Sequence, residues 1–169
     1  MLKIIGAKGS IWDVDKFLKQ MSSFAKDNKF VIQAFDANVI YGKKHLISAV
    51  EHAVRAIDRK TNTTNSLEME ILLYASGERQ LKLAIPKTGV KKGEVNIALV
   101  FFNKTRGFSD ILIEEFLKQV SLIRDDIVLE GSIDTLKKFG LKENEIKTVT
   151  KAKYGDLILE KVAMVDVIK

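Results

Sequence analysis

Apolar residues recur along this chain at two spacings, which predict short strands and helices. Leu2 to Ala7, Phe30 to Asp36 and Val95 to Asn103 are compact apolar runs of strand length. Apolar residues three and four positions apart predict helices around them. The predicted helices are one capped by Asp13, Tyr41 to about Asp58, one capped by Asn65 and ended by Gly77, Arg79 to about Thr88, Asp110 to Ile123, Ile133 to Phe139 and Glu143 to Thr150. A last apolar segment runs from Asp156 to Val167.

The order of these elements indicates the fold class. Few strands and many helices predict an α/β, or α+β, fold in which several helices cover a small sheet, mixed or largely antiparallel. The chain has 169 residues and no Pro-rich or Gly/Ser-rich linker, so we expect a single domain over residues 1–169. The longest apolar run, Ile97 to Phe102, is far shorter than the roughly 20 residues of a membrane span. We therefore expect a soluble, cytoplasmic protein without a membrane partner.

The composition narrows the possible chemistry. The chain has no cysteine, which excludes disulfides, thiolate metal sites and a cysteine nucleophile. Its two histidines, His45 and His52, would lie about 10 Å apart along one helix, too far to share a metal ion. Phosphate-binding glycine motifs are absent, because Gly6 to Gly9 and Gly89 to Gly93 match neither the P-loop nor the dinucleotide pattern. We expect no cofactor and no metal, whereas the net charge of +6 favours a polyanionic partner.

One predicted helix, from Lys43 to Asp58, has two faces of different chemistry. Its core face is apolar, and its other face carries hydrogen-bond donors without an acid among them. The donor stripe consists of His45, Ser48, His52, Arg55 and Arg59, and continues through Lys60 toward Asn65 and Ser66. Guanidinium groups and exposed helix amides suit phosphate oxygens, so the stripe predicts a site for a single-stranded RNA end. The alternative is the ordinary solvated face of an amphipathic helix.

The histidines leave an enzymatic alternative open. His45 or His52 would act as a general base if another part of the chain supplied a carboxylate and a closed pocket. No catalytic residue is assigned on the pattern alone.

The segment Leu157 to Ile168 is unusually apolar, with nine apolar residues of twelve. As a helix it would carry apolar groups almost all round its axis, which favours docking to a partner protein. The alternative is a fully buried final helix or a core strand.

Three blocks of sequence form a recognisable pattern: Phe35-Asp36-Ala37, KHLISAVEHA at 44–53 and above all NSLEMEILLYASGERQ at 65–80. These blocks resemble the PRPK-binding protein family, the small non-catalytic subunit of the KEOPS (EKC) tRNA-modifying complex, in its archaeal branch. The likeness is close over residues 34–93 and weaker over 1–30 and 104–150. The stretch Leu159 to Asp166 also resembles the last helix of the family.

This resemblance implies a subunit without an active site. Such a subunit binds and stimulates the kinase-like ATPase subunit of KEOPS, contacts the other subunits indirectly and binds the 3′ CCA end of tRNA. The complex installs threonylcarbamoyl on adenosine 37. The stripe and the resemblance together predict RNA-binding residues Lys44, His45, His52, Arg55, Arg59, Lys60, Asn65, Ser66 and Arg79. The predicted kinase-binding residues are Leu157, Ile158, Val162, Met164, Val165 and Ile168. A free-standing RNA-binding domain, with its last helix buried on its own sheet, remains an alternative.

Overall fold

The computed structural model describes residues 1–168. Its strands are β1 (Leu2–Ile11), β2 (Val31–Asp36), β3 (Gly93–Phe102) and β4 (Leu122–Arg124). The α-helices in this part of the chain are α1 (Val14–Asn28), α2 (Gly42–Arg59), α3 (Leu67–Ser76), α4 (Leu81–Thr88), α5 (Asp110–Gln119), α6 (Ile133–Phe139), α7 (Glu143–Ile146) and α8 (Tyr154–Ile168). Not one of these eight combines the length and the apolar character that crossing a lipid bilayer requires.

The four strands form one sheet in the order β2-β3-β1-β4, and every neighbouring pair is antiparallel. The two longest strands, β1 and β3, pair along their full length from Leu2 opposite Phe102 to Ile11 opposite Gly93. The predicted α+β fold is confirmed, and the sheet is antiparallel rather than mixed.

Two predicted helices are too long. The segment expected to be helical to Ile123 ends at Gln119, because Ser121 takes a left-handed conformation (φ 59°) and Leu122 to Arg124 pair with β1 as β4. The helix expected over Glu143 to Thr150 ends at Ile146. Both errors lie at helix ends, where periodicity is weakest.

Side-chain alternation on the strands divides the core between the two faces of the sheet. Ile4 and Phe35 pack with α2, α3 and α8 on one face, whereas Ile5 and Leu99 pack with α1 and α5 on the other. Helix α3 lies deep in the first layer, since the five residues from Ile71 to Ala75 are at most 2% exposed. The proposed binding elements α2 and α8 therefore rest on the same face of the sheet.

Three of the predicted kinase-binding residues are core residues instead. Ile158, Val162 and Val165 are fully buried, so their prediction as partner contacts is wrong. The physical reason is that α8 packs against α2, α3 and α6, and these neighbours together cover the helix face that carries the three residues. Leu157 is half-buried beside the small core around α6, while Met164 and Ile168 remain 42% and 39% exposed.

The N-caps of two helices were predicted from the sequence, and one of them lies one residue away from its predicted position. The Asp13 side chain caps α1 as predicted, accepting a hydrogen bond from the Lys16 N–H at 2.9 Å. Helix α3 is capped by Ser66, whose Oγ accepts from the Met69 N–H at 3.4 Å, so the prediction of Asn65 as the cap is wrong by one residue. Both residues have cap-forming side chains, and local pattern does not separate them.

Candidate functional site

The buried side of α2 includes His45, which the sequence placed on the donor stripe. His45 is 1% exposed, so its prediction as an RNA contact is wrong. Its Nδ1 accepts a hydrogen bond from the Tyr41 N–H at 3.1 Å, and its Nε2 donates to the Ala75 carbonyl at 2.8 Å. Both ring nitrogens are engaged, which also removes His45 as a general base. The end of α3 covers the first turn of α2, and no pattern within α2 reveals that contact.

The buried position of His45 predicts a pH dependence of stability. Burial lowers the pKa of His45 to about 4, because a protonated imidazole would be a charge shielded from water, and the charge of Lys87 lowers it further. The unfolded chain binds this proton first, near pH 6.5, as the pH falls. Protonation of His45 therefore leaves the free energy of unfolding unchanged above about pH 7.5 and lowers it by about 3 kcal/mol between there and pH 4.

Urea denaturation between pH 7.5 and 4.5 measures this loss. In the His45→Gln variant, which keeps a donor for Ala75 and does not titrate in this range, we expect the slope to flatten. An unchanged slope would contradict the assignment.

The outward side of α2 keeps the remaining cations of the stripe exposed. Arg55 and Arg59 line a groove of about 640 Å³ together with the acids Glu51 and Asp58. The rest of the groove is apolar and comes from Met1, Leu2, Val50, Val54 and Phe102. Asp58 is paired with Lys104 at 2.7 Å, which leaves its charge partly neutralised. The groove thus offers guanidinium groups beside an apolar surface.

A polar cluster joins α2, α3 and the end of α8. His52 Nδ1 lies 2.7 Å from Asp166 Oδ2, and the Tyr74 hydroxyl donates to the other carboxylate oxygen of Asp166. The His52 and Tyr74 rings stack at a centroid distance of 5.4 Å. Burial, with the hydrogen bond to Asp166, raises the pKa of Tyr74, so its hydroxyl keeps its proton.

Two arginines border this cluster. Arg55 Nη2 lies 3.0 Å from His52 Nδ1, and Arg79 donates to the Ile168 carbonyl at 3.3 Å. The contact of Arg79 also places a cation at the negative end of α8. Asp166 supplies the carboxylate that His52 would need to act as a general base. The same contact also joins α8 to α2.

The loop from 60 to 66 is fixed by a buried carboxylate. Glu70 is fully buried and accepts hydrogen bonds from the backbone N–H groups of Thr63 and Thr64 and from the Thr64 hydroxyl, at 2.8 to 3.2 Å. Lys60 ends α2 in a left-handed conformation with φ 59°, and Lys60 and Asn65 are exposed. Glu70 therefore sets the path of the loop that carries two predicted RNA-binding residues.

The predicted RNA-binding residues are only partly brought together. Lys44 lies at the other end of α2, in a separate groove of about 340 Å³ with Lys43 and Lys151. Ser66 is half-buried, and its hydroxyl is used by the cap of α3.

The outer side of α8 carries an exposed apolar strip. Ala163, Met164 and Val167 follow helical spacing on one side, and Ile168 extends the strip at the end of the helix. Val167 is 72% exposed. Within the predicted protein-binding segment, this strip is the part that the core of the protein does not cover.

Comparison with known proteins decides the family. A family model described as kinase binding protein CGI-121 matches residues 13–166. The chain belongs to this family. It is also 33% identical over 144 residues to the regulatory protein Cgi121 of Methanocaldococcus jannaschii, with 81% of this chain and 84% of that protein covered. The resemblance read from the sequence is confirmed.

In this member of the kinase binding protein CGI-121 family, the block at 65–80 has a structural explanation. Ser66 caps α3, Glu70 holds the preceding loop, Tyr74 joins the cluster at Asp166, and Gly77 ends the helix with φ 68°. Sequence reasoning did not single out Glu70, Tyr74 or Asp166. The only signal for Glu70 was an acid directly before the apolar run Ile71 to Ala75.

Proposed function

We propose that this chain is the non-catalytic regulatory subunit of a KEOPS-type complex, which binds and activates the kinase-like ATPase subunit. Membership of the kinase binding protein family supports a kinase partner, and the M. jannaschii relative is named a regulatory protein. The same subunit binds the 3′ CCA end of tRNA and thereby supports threonylcarbamoyladenosine formation at position 37. Other subunits of the complex contact it indirectly.

The kinase contact is assigned to the exposed strip of α8, formed by Ala163, Met164, Val167 and Ile168. This strip is the observation that carries the proposal, because an apolar helix face left in water is stabilised when a partner protein covers it. The buried side of the same helix, with Ile158 and Val162, anchors the strip to the core. A rigid helix face suits recognition by an apolar groove or patch.

The tRNA contact is assigned to the cations around the C-terminal half of α2. Arg55 and Arg59 line the same groove, and Lys60 and Asn65 lie on the loop that follows. The apolar part of the groove suits the face of a base, while the guanidinium groups suit phosphates. The net charge of +6 supports a polyanionic ligand.

Arg55→Glu combined with Arg59→Glu tests the tRNA contact. We expect the affinity for tRNA to fall about tenfold or more, and the salt dependence to become shallower because fewer counterions are released. Fluorescence anisotropy with tRNA that has or lacks the CCA end measures both effects. Binding to the kinase-like subunit should stay unchanged.

The matched control is Lys19→Glu with Lys26→Glu, the same charge change on exposed residues of α1. Helix α1 lies on the opposite face of the sheet, so this variant should lose little affinity. Equal losses in the two double variants would show only a general effect of net charge and would contradict the assignment.

A further inference from the structure

The Asp166 carboxylate sits among donors of the kind that bind phosphate. It contacts the imidazole of His52 and the hydroxyl of Tyr74, and Arg55 touches the same imidazole nitrogen. Arg79 reaches the carbonyl of Ile168, two residues farther along α8. Imidazole, hydroxyl and guanidinium groups together are a common donor set for phosphate oxygens.

The imidazole of His52 cannot satisfy both of its neighbours at Nδ1. When Nδ1 carries a proton it donates to Asp166, and Arg55 then has no acceptor at that nitrogen. When Nδ1 is unprotonated it accepts from Arg55 and faces the carboxylate without a hydrogen bond. In the first state the Arg55 guanidinium gains when an incoming anion supplies an acceptor.

The segment that carries Asp166 is the last described turn of α8. Val165 is buried, but Val167 and Ile168 are 72% and 39% exposed, so apolar packing holds this turn weakly. Besides the packing of Val165 in the core, the turn is tied to α2 and α3 by the contacts of Asp166 and the bond from Arg79. Helix ends with few buried contacts open at low free-energy cost.

We propose that Asp166 holds the place of an RNA phosphate in the free chain, so that RNA and the last turn of α8 compete for His52, Tyr74, Arg55 and Arg79. The inference rests on the proposed tRNA binding and adds an internal competitor to that site. Because the turn also carries part of the exposed strip of α8, RNA binding and kinase binding act on the same structural element.

Asp166→Asn tests the competition. Asparagine keeps the shape and an acceptor for Tyr74 but removes the charge that competes with phosphate, so we expect tRNA affinity to rise about tenfold. Asp27→Asn is the matched control, since Asp27 is an exposed acid of α1 on the opposite face of the sheet, away from the proposed tRNA groove, and it should change affinity less than about threefold. Equal gains in the two variants, or no gain in Asp166→Asn, would overturn the inference.

Amide hydrogen exchange on the wild-type chain tests the same competition without a substitution. Adding tRNA should speed exchange in the last turn of α8 at residues 165–168, because its polar ties are released. Unchanged or slower exchange in that turn, with tRNA bound, would overturn the inference. A wild-type chain that binds no tRNA would instead overturn the proposed RNA function itself.

Discussion

Glu70→Gln is expected to lower the free energy of unfolding by about 3 kcal/mol, the largest stability loss among the variants considered. The Glu70 carboxylate accepts from two backbone N–H groups and one hydroxyl in a fully buried position. Glutamine offers a single acceptor oxygen and turns an amide N–H₂ toward donors. The buried N–H group of Thr64, or the N–H group of Thr63, then loses its partner.

Urea denaturation at pH 7 measures the loss. Glu68→Gln, in the same helix but only partly buried, is the control, and it should cost less than about 1 kcal/mol. Hydrogen exchange of residues 60–66 should also quicken in Glu70→Gln alone. Equal stability of the two variants would contradict the role of Glu70 in fixing the loop from 60 to 66.

Met164→Glu combined with Val167→Glu should weaken binding of the kinase-like subunit by about 100-fold. Both residues lie on the exposed strip of α8, 42% and 72% exposed, so the substitutions leave the core intact. In a complex, each new carboxylate would be buried against an apolar partner surface without a counterion, which is costly. Isothermal titration calorimetry with the purified partner measures the affinity.

Ile111→Glu with Ile123→Glu is the control for that experiment, because these residues are 73% and 67% exposed and lie away from α8. The control should bind the kinase-like subunit as the wild type does. Full affinity in the α8 variant would place the interface elsewhere. Deletion of residues 157–169 is a poorer test, since it would also remove the core residues Ile158 and Val162.

Local pattern was sufficient where a feature depends on neighbours in sequence. The cap at Asp13, the long helix α2 and the stop at Gly77 follow from spacing and cap chemistry. Strand β4 was missed because it has three residues, and its pairing partner in β1 lies more than 100 positions earlier. Short strands stabilised by distant pairing leave almost no periodic signal.

The candidate site likewise could be predicted only where its features depend on neighbours in sequence. Helical spacing correctly separated most of the exposed cations of α2 from its core, but it could not show that α3 covers His45. The apolar excess of α8 was read as a partner surface, whereas its own fold covers one side of it. The ties of Asp166 to His52 and Tyr74 join residues 114 and 92 positions apart, and tertiary packing alone creates them.

The central claim is that one chain binds two macromolecules through different residues, tRNA through the cations of α2 and the kinase-like subunit through the exposed strip of α8. The most direct test measures tRNA and kinase-like subunit binding for the wild type, for Arg55→Glu with Arg59→Glu and for Met164→Glu with Val167→Glu. We predict that the first double variant loses only tRNA and the second loses only the kinase-like subunit. Loss of both partners in either variant, or a wild type that binds neither, would contradict the claim.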